Sequence, residues 1–170
     1  MITNVRILRQ FSTVLPVTFS ILNCDPKDVL FFDIETTGLS PKTSRVFLIG
    51  LISFQPDIKE WQLIQFLLEH NCEEEESQLL KTFSAFVENK SQLIHFNGNS
   101  FDIPYLISRY EKHQLSNPFS KKDSLDLYRE FAYACFFQAN AQSYPKIFRG
   151  IDWLSQKRSF IRKRNDKNLS

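Results

Sequence analysis

Apolar positions along the chain fall into short dense blocks separated by polar, Pro- or Gly-marked stretches, with two segments that follow a helical period instead. Val29–Glu35 reads VLFFDIE, rich in β-branched and aromatic residues and free of Gly and Pro, which predicts a buried strand. Arg45–Phe54 and Trp61–Leu67 predict two more strands, with a turn at Gln55-Pro56-Asp57 between them. Connections this short predict an antiparallel meander. From Glu73 to Asn89 the period changes: Leu79, Leu80, Phe83, Phe86 and Val87 share one helical face. Gln92–Phe96 is a short strand, and Phe101–His113 a helix with Asn99 or Ser100 as N-cap and Pro104 in its first turn. Leu125–Phe137 has the pattern of a further amphipathic helix. Residues 1–27 predict an irregular lead-in that closes at Asp25-Pro26-Lys27. The fold class expected is α/β in three layers: a mixed sheet, an antiparallel meander plus a parallel strand, flanked by helices.

At 170 residues the chain has the length of one domain. The expected division is a lead-in at 1–27, a folded domain at 28–140 and a basic segment at 141–170, either an appendage or the incomplete end of the domain. No apolar run is long enough to span a bilayer. Net charge is only +2, but Lys146–Ser170 holds eight Lys/Arg against two acids. Such a segment can steer a polyanion or merely be a solvated tail. Cys24, Cys72 and Cys135 are odd in number and form no C-x-x-C pair, so neither a disulfide framework nor a zinc site is expected. Arg6 and Arg9 before Phe11–Leu22 loosely resemble a signal peptide, but Pro16 interrupts the apolar stretch. The expected location is cytoplasmic.

Asp33 and Glu35 sit at i and i+2 of a strand and so face the same side. Two carboxylates on one face of an apolar strand are costly unless compensated, and a divalent cation is one compensation. Oxygen-only ligands select hard ions such as Mg²⁺ or Mn²⁺. A strand end that wets both acids is the plain alternative. Thr36-Thr37-Gly38 follows, with two hydroxyls and a glycine that lets backbone approach a phosphate or sugar. Asp102 falls in the first turn of a later helix, where the dipole favours its anion and capping would suffice to explain it. The four glutamates Glu73–Glu76 open the other helix; they read either as dipole partners or as metal ligands.

Two segments, FFDIETTGLS and FNGNSFDIPYL, resemble the first and second exonuclease motifs of the DEDD (DnaQ-like) 3′–5′ exonuclease superfamily. Within it they look most like the YprB-type ribonuclease H-like domain, over about residues 28–130. The resemblance implies a ribonuclease H-like fold. It also implies metal-dependent 3′–5′ hydrolysis of phosphodiester bonds in DNA or RNA, acting on a single-stranded 3′ end with two Mg²⁺ or Mn²⁺ ions. By resemblance Asp33, Glu35 and Asp102 match the first three catalytic acids and metal ligands. Thr36, Thr37 and Gly38 match the loop that holds the terminal nucleotide. Asn97 and Phe101 match positions flanking the substrate strand, where Phe101 stacks a base or only packs. Asp126 matches an acid common in the YprB-type branch and completes the expected catalytic set.

The family pattern also asks for a fourth acid as Tyr-x₃-Asp or His-x₄-Asp, and the sequence contains neither. Asp152 has Phe148 at the Tyr position, and Asp166 has Arg162. The sequence therefore leaves two main readings: an exonuclease whose site Asp126 or Asp166 completes, or a nucleic-acid-binding domain, impaired or truncated, that turns over slowly or not at all. A domain whose acids bind only a stabilising cation is the third.

Overall fold

The structure is a computed structural model and describes residues 1–8 and 24–130. In chain order it holds strands β1 (Ile2–Ile7), β2 (Val29–Thr36), β3 (Val46–Gln55) and β4 (Glu60–Leu67), then helix α1 (Glu73–Glu88), strand β5 (Gln92–His95), helix α2 (Asp102–Lys112) and strand β6 (Asp123–Asp126). One sheet runs β1-β4-β3-β2-β5-β6. The pairs β2–β3, β3–β4 and β1–β4 are antiparallel, while β2–β5 and β5–β6 are parallel. The meander and the parallel strand are thus as expected, and the fold is ribonuclease H-like.

Alternation along β2 sorts its side chains. Leu30, Phe32 and Ile34 are buried in the main core with Leu51 and Ile49 of β3. The apolar stripe of α1, including Leu79, Leu80 and Phe83, closes on this face together with Tyr105, Leu106 and Tyr110 of α2. Each such side chain contributes about 1.5–3 kcal/mol on burial. The opposite face of β2 carries Phe31, Asp33 and Glu35, all partly exposed. A core on one face and two carboxylates on the other therefore follow from the same period-two pattern.

Three expectations need correction. Residues 2–7 are not irregular: they form edge strand β1, in register from Ile2↔Leu67 to Ile7↔Gln62. The segment ITNVRI stays largely exposed, so no dense apolar block announces it. Asp123–Asp126 is a strand, and helix begins only at Leu127, so the helix expected from Leu125 starts late. Its stretch past residue 130 lies outside the described residues, as does the basic segment 141–170. The N-cap of α2 is Phe101, without a side-chain cap, rather than Asn99 or Ser100. The loop's own backbone serves instead, the amide of Ile103 donating to the carbonyl of Gly98 at 2.9 Å.

Candidate functional site

Strand β2 outruns its parallel neighbour. Their pairing extends from Val29↔Gln92 to Phe31↔Ile94, and β5 ends at His95. Past that point no described strand pairs with this edge of β2. The amide of Ile34 donates instead to Oδ1 of Asp102, at 3.1 Å. A buried backbone donor needs an acceptor, and the first residue of α2 supplies it. Asp102, only 6% exposed, is thereby fixed on the backbone unit between Asp33 and Glu35. Across the sheet, Asp33 pairs with Gly50, so its same-face neighbour on β3 brings no side chain.

The loop that delivers Asp102 is held by a polar network. Asn97 adopts a left-handed conformation, φ 59°, which asparagine tolerates better than most residues. Asp126, 4% exposed at the end of β6, accepts from the amides of Asn97 (2.8 Å) and Tyr128 (3.1 Å) through Oδ1, and from the amide of Asn99 (3.3 Å) through Oδ2. The buried ring of His95 accepts the amide of Gly98 at Nδ1, 3.1 Å. Its proton is therefore on Nε2, which donates to Oγ of Ser124 at 2.7 Å, and Ser124 donates on to Oδ1 of Asn99 at 2.9 Å. Burial pushes the imidazole pKa down, and neighbouring Asp126 only partly opposes this. The neutral ring is the form this network needs. Gly98 has no room for a side chain, since a Cβ there would stand 2.7 Å from the His95 ring.

The Thr36–Arg45 connection is clasped at its base. The amide of Thr37 donates to the carbonyl of Arg45 (2.9 Å), and the amide of Arg45 donates to Oγ1 of Thr37 (3.0 Å). Gly38 is not in a left-handed conformation, contrary to the usual reason for a loop glycine. It makes room for Ser44, whose Cβ and Oγ would be 3.2 Å from an added Cβ. The Ser44 hydroxyl in turn lies 2.9 Å from the Tyr105 hydroxyl, tying this loop to α2.

Of the expected site residues, Asp33, Glu35 and Asp102 meet around one backbone unit, with Thr36, Thr37 and Gly38 immediately beyond. Asn97 is exposed on the neighbouring loop. Phe101 packs against Tyr105, ring centroids 5.4 Å apart, at the border of the core. Asp126 lies near the site, but both its oxygens accept backbone amides, the occupation of a residue that shapes the loop. Among the described residues two sets of three acid or imidazole groups bring their ligand atoms within 4.8 Å of one another: Glu69–His70–Glu75 and Glu73–Glu76–His113. Asp33, Glu35 and Asp102 are in neither, so at least one pair among their ligand atoms stands farther apart than that. The donor chemistry of these three, oxygen only and ionisable, fits a hard divalent cation.

Sequence reasoning missed the buried pair behind α2. Glu76, fully buried, accepts from the amide of Val46 (2.9 Å), from Nε of Arg109 (2.8 Å) and from its Nη2, and lies 2.9 Å from Nε2 of His113. Arg109 also donates to the carbonyl of Pro41 at 2.7 Å. The set is thus already charge-compensated, and it bolts α1, α2, β3 and the Thr36–Arg45 loop together. Glu73 beside it is held at about 2 by hydrogen bonds from Lys112 and then Arg45. The glutamate run is therefore more than a set of dipole partners, and its Glu76 is marked in the sequence only by falling on the apolar side of the helix.

A family model described as the RNase_H superfamily matches residues 30–148. Among solved structures, the chain is similar to Escherichia coli exonuclease I in complex with a dT13 oligonucleotide, at 14% identity and TM-score 0.52, over 69% of this chain and 31% of that one. The zinc-ion-bound form of the E. coli exonuclease I–ssDNA complex matches at 13% identity and TM-score 0.52, over 69% and 32%. The family B DNA polymerase from the hyperthermophilic archaeon Pyrobaculum calidifontis matches at 20% identity and TM-score 0.51, over 64% and 16%. The chain thus spans about a third or less of these proteins, and the likeness is one of fold. A search of curated proteins finds no match.

Proposed function

The chain belongs to the RNase_H superfamily, and on that premise we propose that it hydrolyses phosphodiester bonds of nucleic acid with a divalent cation, trimming a single strand from its 3′ end. The observation that carries this reading is the 3.1 Å bond from the Ile34 amide to Asp102, which sets a third carboxylate beside the two on β2. Asp33, Glu35 and Asp102 are the residues that would hold Mg²⁺ or Mn²⁺. Such an ion, when bound, supplies charge neutralisation at the phosphate and a more acidic water. The chain's part is to hold three acids ready: β2 fixes two by its pleat, and the His95–Ser124–Asn99 and Asp126 contacts fix the loop that aims the third. Thr36 and Thr37 offer hydroxyls, and exposed Asn97 an amide, beside the path of a bound strand. The likeness to exonuclease I bound to an oligonucleotide supports a single-stranded substrate. The two motifs support the YprB-type branch, and a cytoplasmic location is part of the proposal. No helix among the described residues is long and apolar enough to cross a membrane.

One observation favours a second reading, binding without turnover. Three backbone amides already occupy most of the Asp126 carboxylate's acceptor positions, which leaves it little to offer as a fourth ligand; Asp152 and Asp166 lie outside the described residues. A 5′-labelled single strand incubated with Mn²⁺, Mg²⁺ or chelator separates the two. Stepwise shortening from the 3′ end that needs metal and is lost in Asp33→Asn is the result expected. Salt-sensitive binding with no shortening supports the second reading, and neither binding nor cleavage refutes both.

A further inference from the structure

Phe96 and Tyr128 stand in solvent, 61% and 51% exposed, although both are large aromatics. Their rings meet edge to face, with centroids 5.6 Å apart and planes at 76°. Phe96 follows β5 and Tyr128 follows β6, yet one atom fixes both backbones. Oδ1 of Asp126 accepts the amide of Asn97, next to Phe96, and the amide of Tyr128 itself. The pair is therefore an exposed corner on a rigid base. Among the described residues, the other exposed large apolar side chains, Ile2, Val5 and Ile7 on β1, Leu39 and Ile58, are all aliphatic. Exposed Arg129 adjoins the corner in sequence.

We propose that the Phe96–Tyr128 corner is a stacking subsite for one unpaired nucleobase of the strand that the carboxylates engage. This rests on the hydrolase reading and names where that strand is gripped. Rings set at 76° offer one face to a planar base and an edge to its rim, which accommodates a single base and not a stacked run. Phe96 opens the short loop that leads into Asp102 at the start of α2, which sets the corner and that carboxylate at the two ends of one connection. Base–aromatic stacking is tolerant of sequence, so the subsite grips without choosing among bases.

The test walks one abasic position inward from the 3′ end of a labelled single strand and measures KM and kcat with Mn²⁺. In the wild type a single position is expected to raise KM about 5- to 150-fold with little change in kcat. The double variant Phe96→Ala/Tyr128→Ala, exposed at both sites and expected to keep the wild-type Tm, should show that loss on the intact strand and be indifferent to the abasic position. Phe96→Tyr/Tyr128→Phe should restore wild-type behaviour. If the double variant cleaves the intact strand with unchanged KM, or still feels the abasic position, the subsite is refuted while the hydrolase reading stands. A wild type that neither binds nor cleaves refutes that reading, and the subsite falls with it.

Discussion

Replacing Asp126 separates a loop-shaping acid from a metal ligand. Its carboxylate accepts three backbone amides, at 2.8, 3.1 and 3.3 Å. A hydrogen bond to a charged group is worth about 1.5–3 kcal/mol when its partner is left unpaired. Asn97 and Tyr128 are exposed, so water can replace much of what their amides lose, whereas Asn99 is half-buried. Asp126→Ala should therefore cost about 2–4 kcal/mol and Asp126→Asn about 1–2 kcal/mol, since the amide nitrogen cannot accept. Urea unfolding followed by circular dichroism reads these as midpoint shifts, with slopes of about 1–3 kcal/mol per molar for small proteins. Folded Asp126→Asn should keep its divalent-cation affinity within about threefold, because no ligand is lost; its activity should fall through a loosened Asp102. An Asp126→Asn protein that unfolds at the wild-type urea concentration yet no longer binds cation would refute the assignment.

Three further outcomes are expected. Glu76→Gln leaves the buried Arg109 charge with only its longer, 3.4 Å contact to Glu73 and should cost about 3–5 kcal/mol by the same unfolding measurement; a cost below about 1 kcal/mol contradicts the pair's role. Gly98→Ala pushes a methyl against the His95 ring and should cost about 1–3 kcal/mol, more than Gly38→Ala, whose nearest contacts are 3.2 Å away. His95 has a folded pKa below its unfolded value, so the unfolded chain takes up the proton first. Its contribution is complete above about pH 6.5 and is lost as pH falls toward the folded value. That pH slope should be absent from His95→Asn, and a slope that survives the substitution counts against a neutral, buried ring.

What could be read from the sequence follows burial. Strands β2, β3 and β4 announce themselves because they are dense in apolar side chains, and α1 because its apolar period is 3.6. Edge strand β1 and polar β6, DSLD, are strands because of what they pair with, and no local pattern carries that information. At the candidate site, strand parity puts Asp33 and Glu35 on one face, as the structure has them. From its position alone Asp102 reads equally well as a capping acid at a helix start, because its bond to Ile34 joins residues 68 positions apart in the chain. Neither Gly38 nor Gly98 has a positive φ, so backbone freedom is not what these loop glycines provide. Gly98 is instead a matter of space beside His95, which depends on a packed neighbour and not on the loop's own residues. The same holds for Asp126, whose three amide partners come from the β5–α2 loop and the start of the helix after β6.

The central claim is that Asp33, Glu35 and Asp102 together take up a divalent cation. Calorimetric titration with Mn²⁺ tests it against the other acid groupings on the surface. Wild type and Glu75→Gln, which alters the exposed Glu69–His70–Glu75 set, should bind alike, while folded Asp33→Asn and Asp102→Asn should lose the uptake. Binding that survives both Asp substitutions, or that disappears with Glu75, would contradict it.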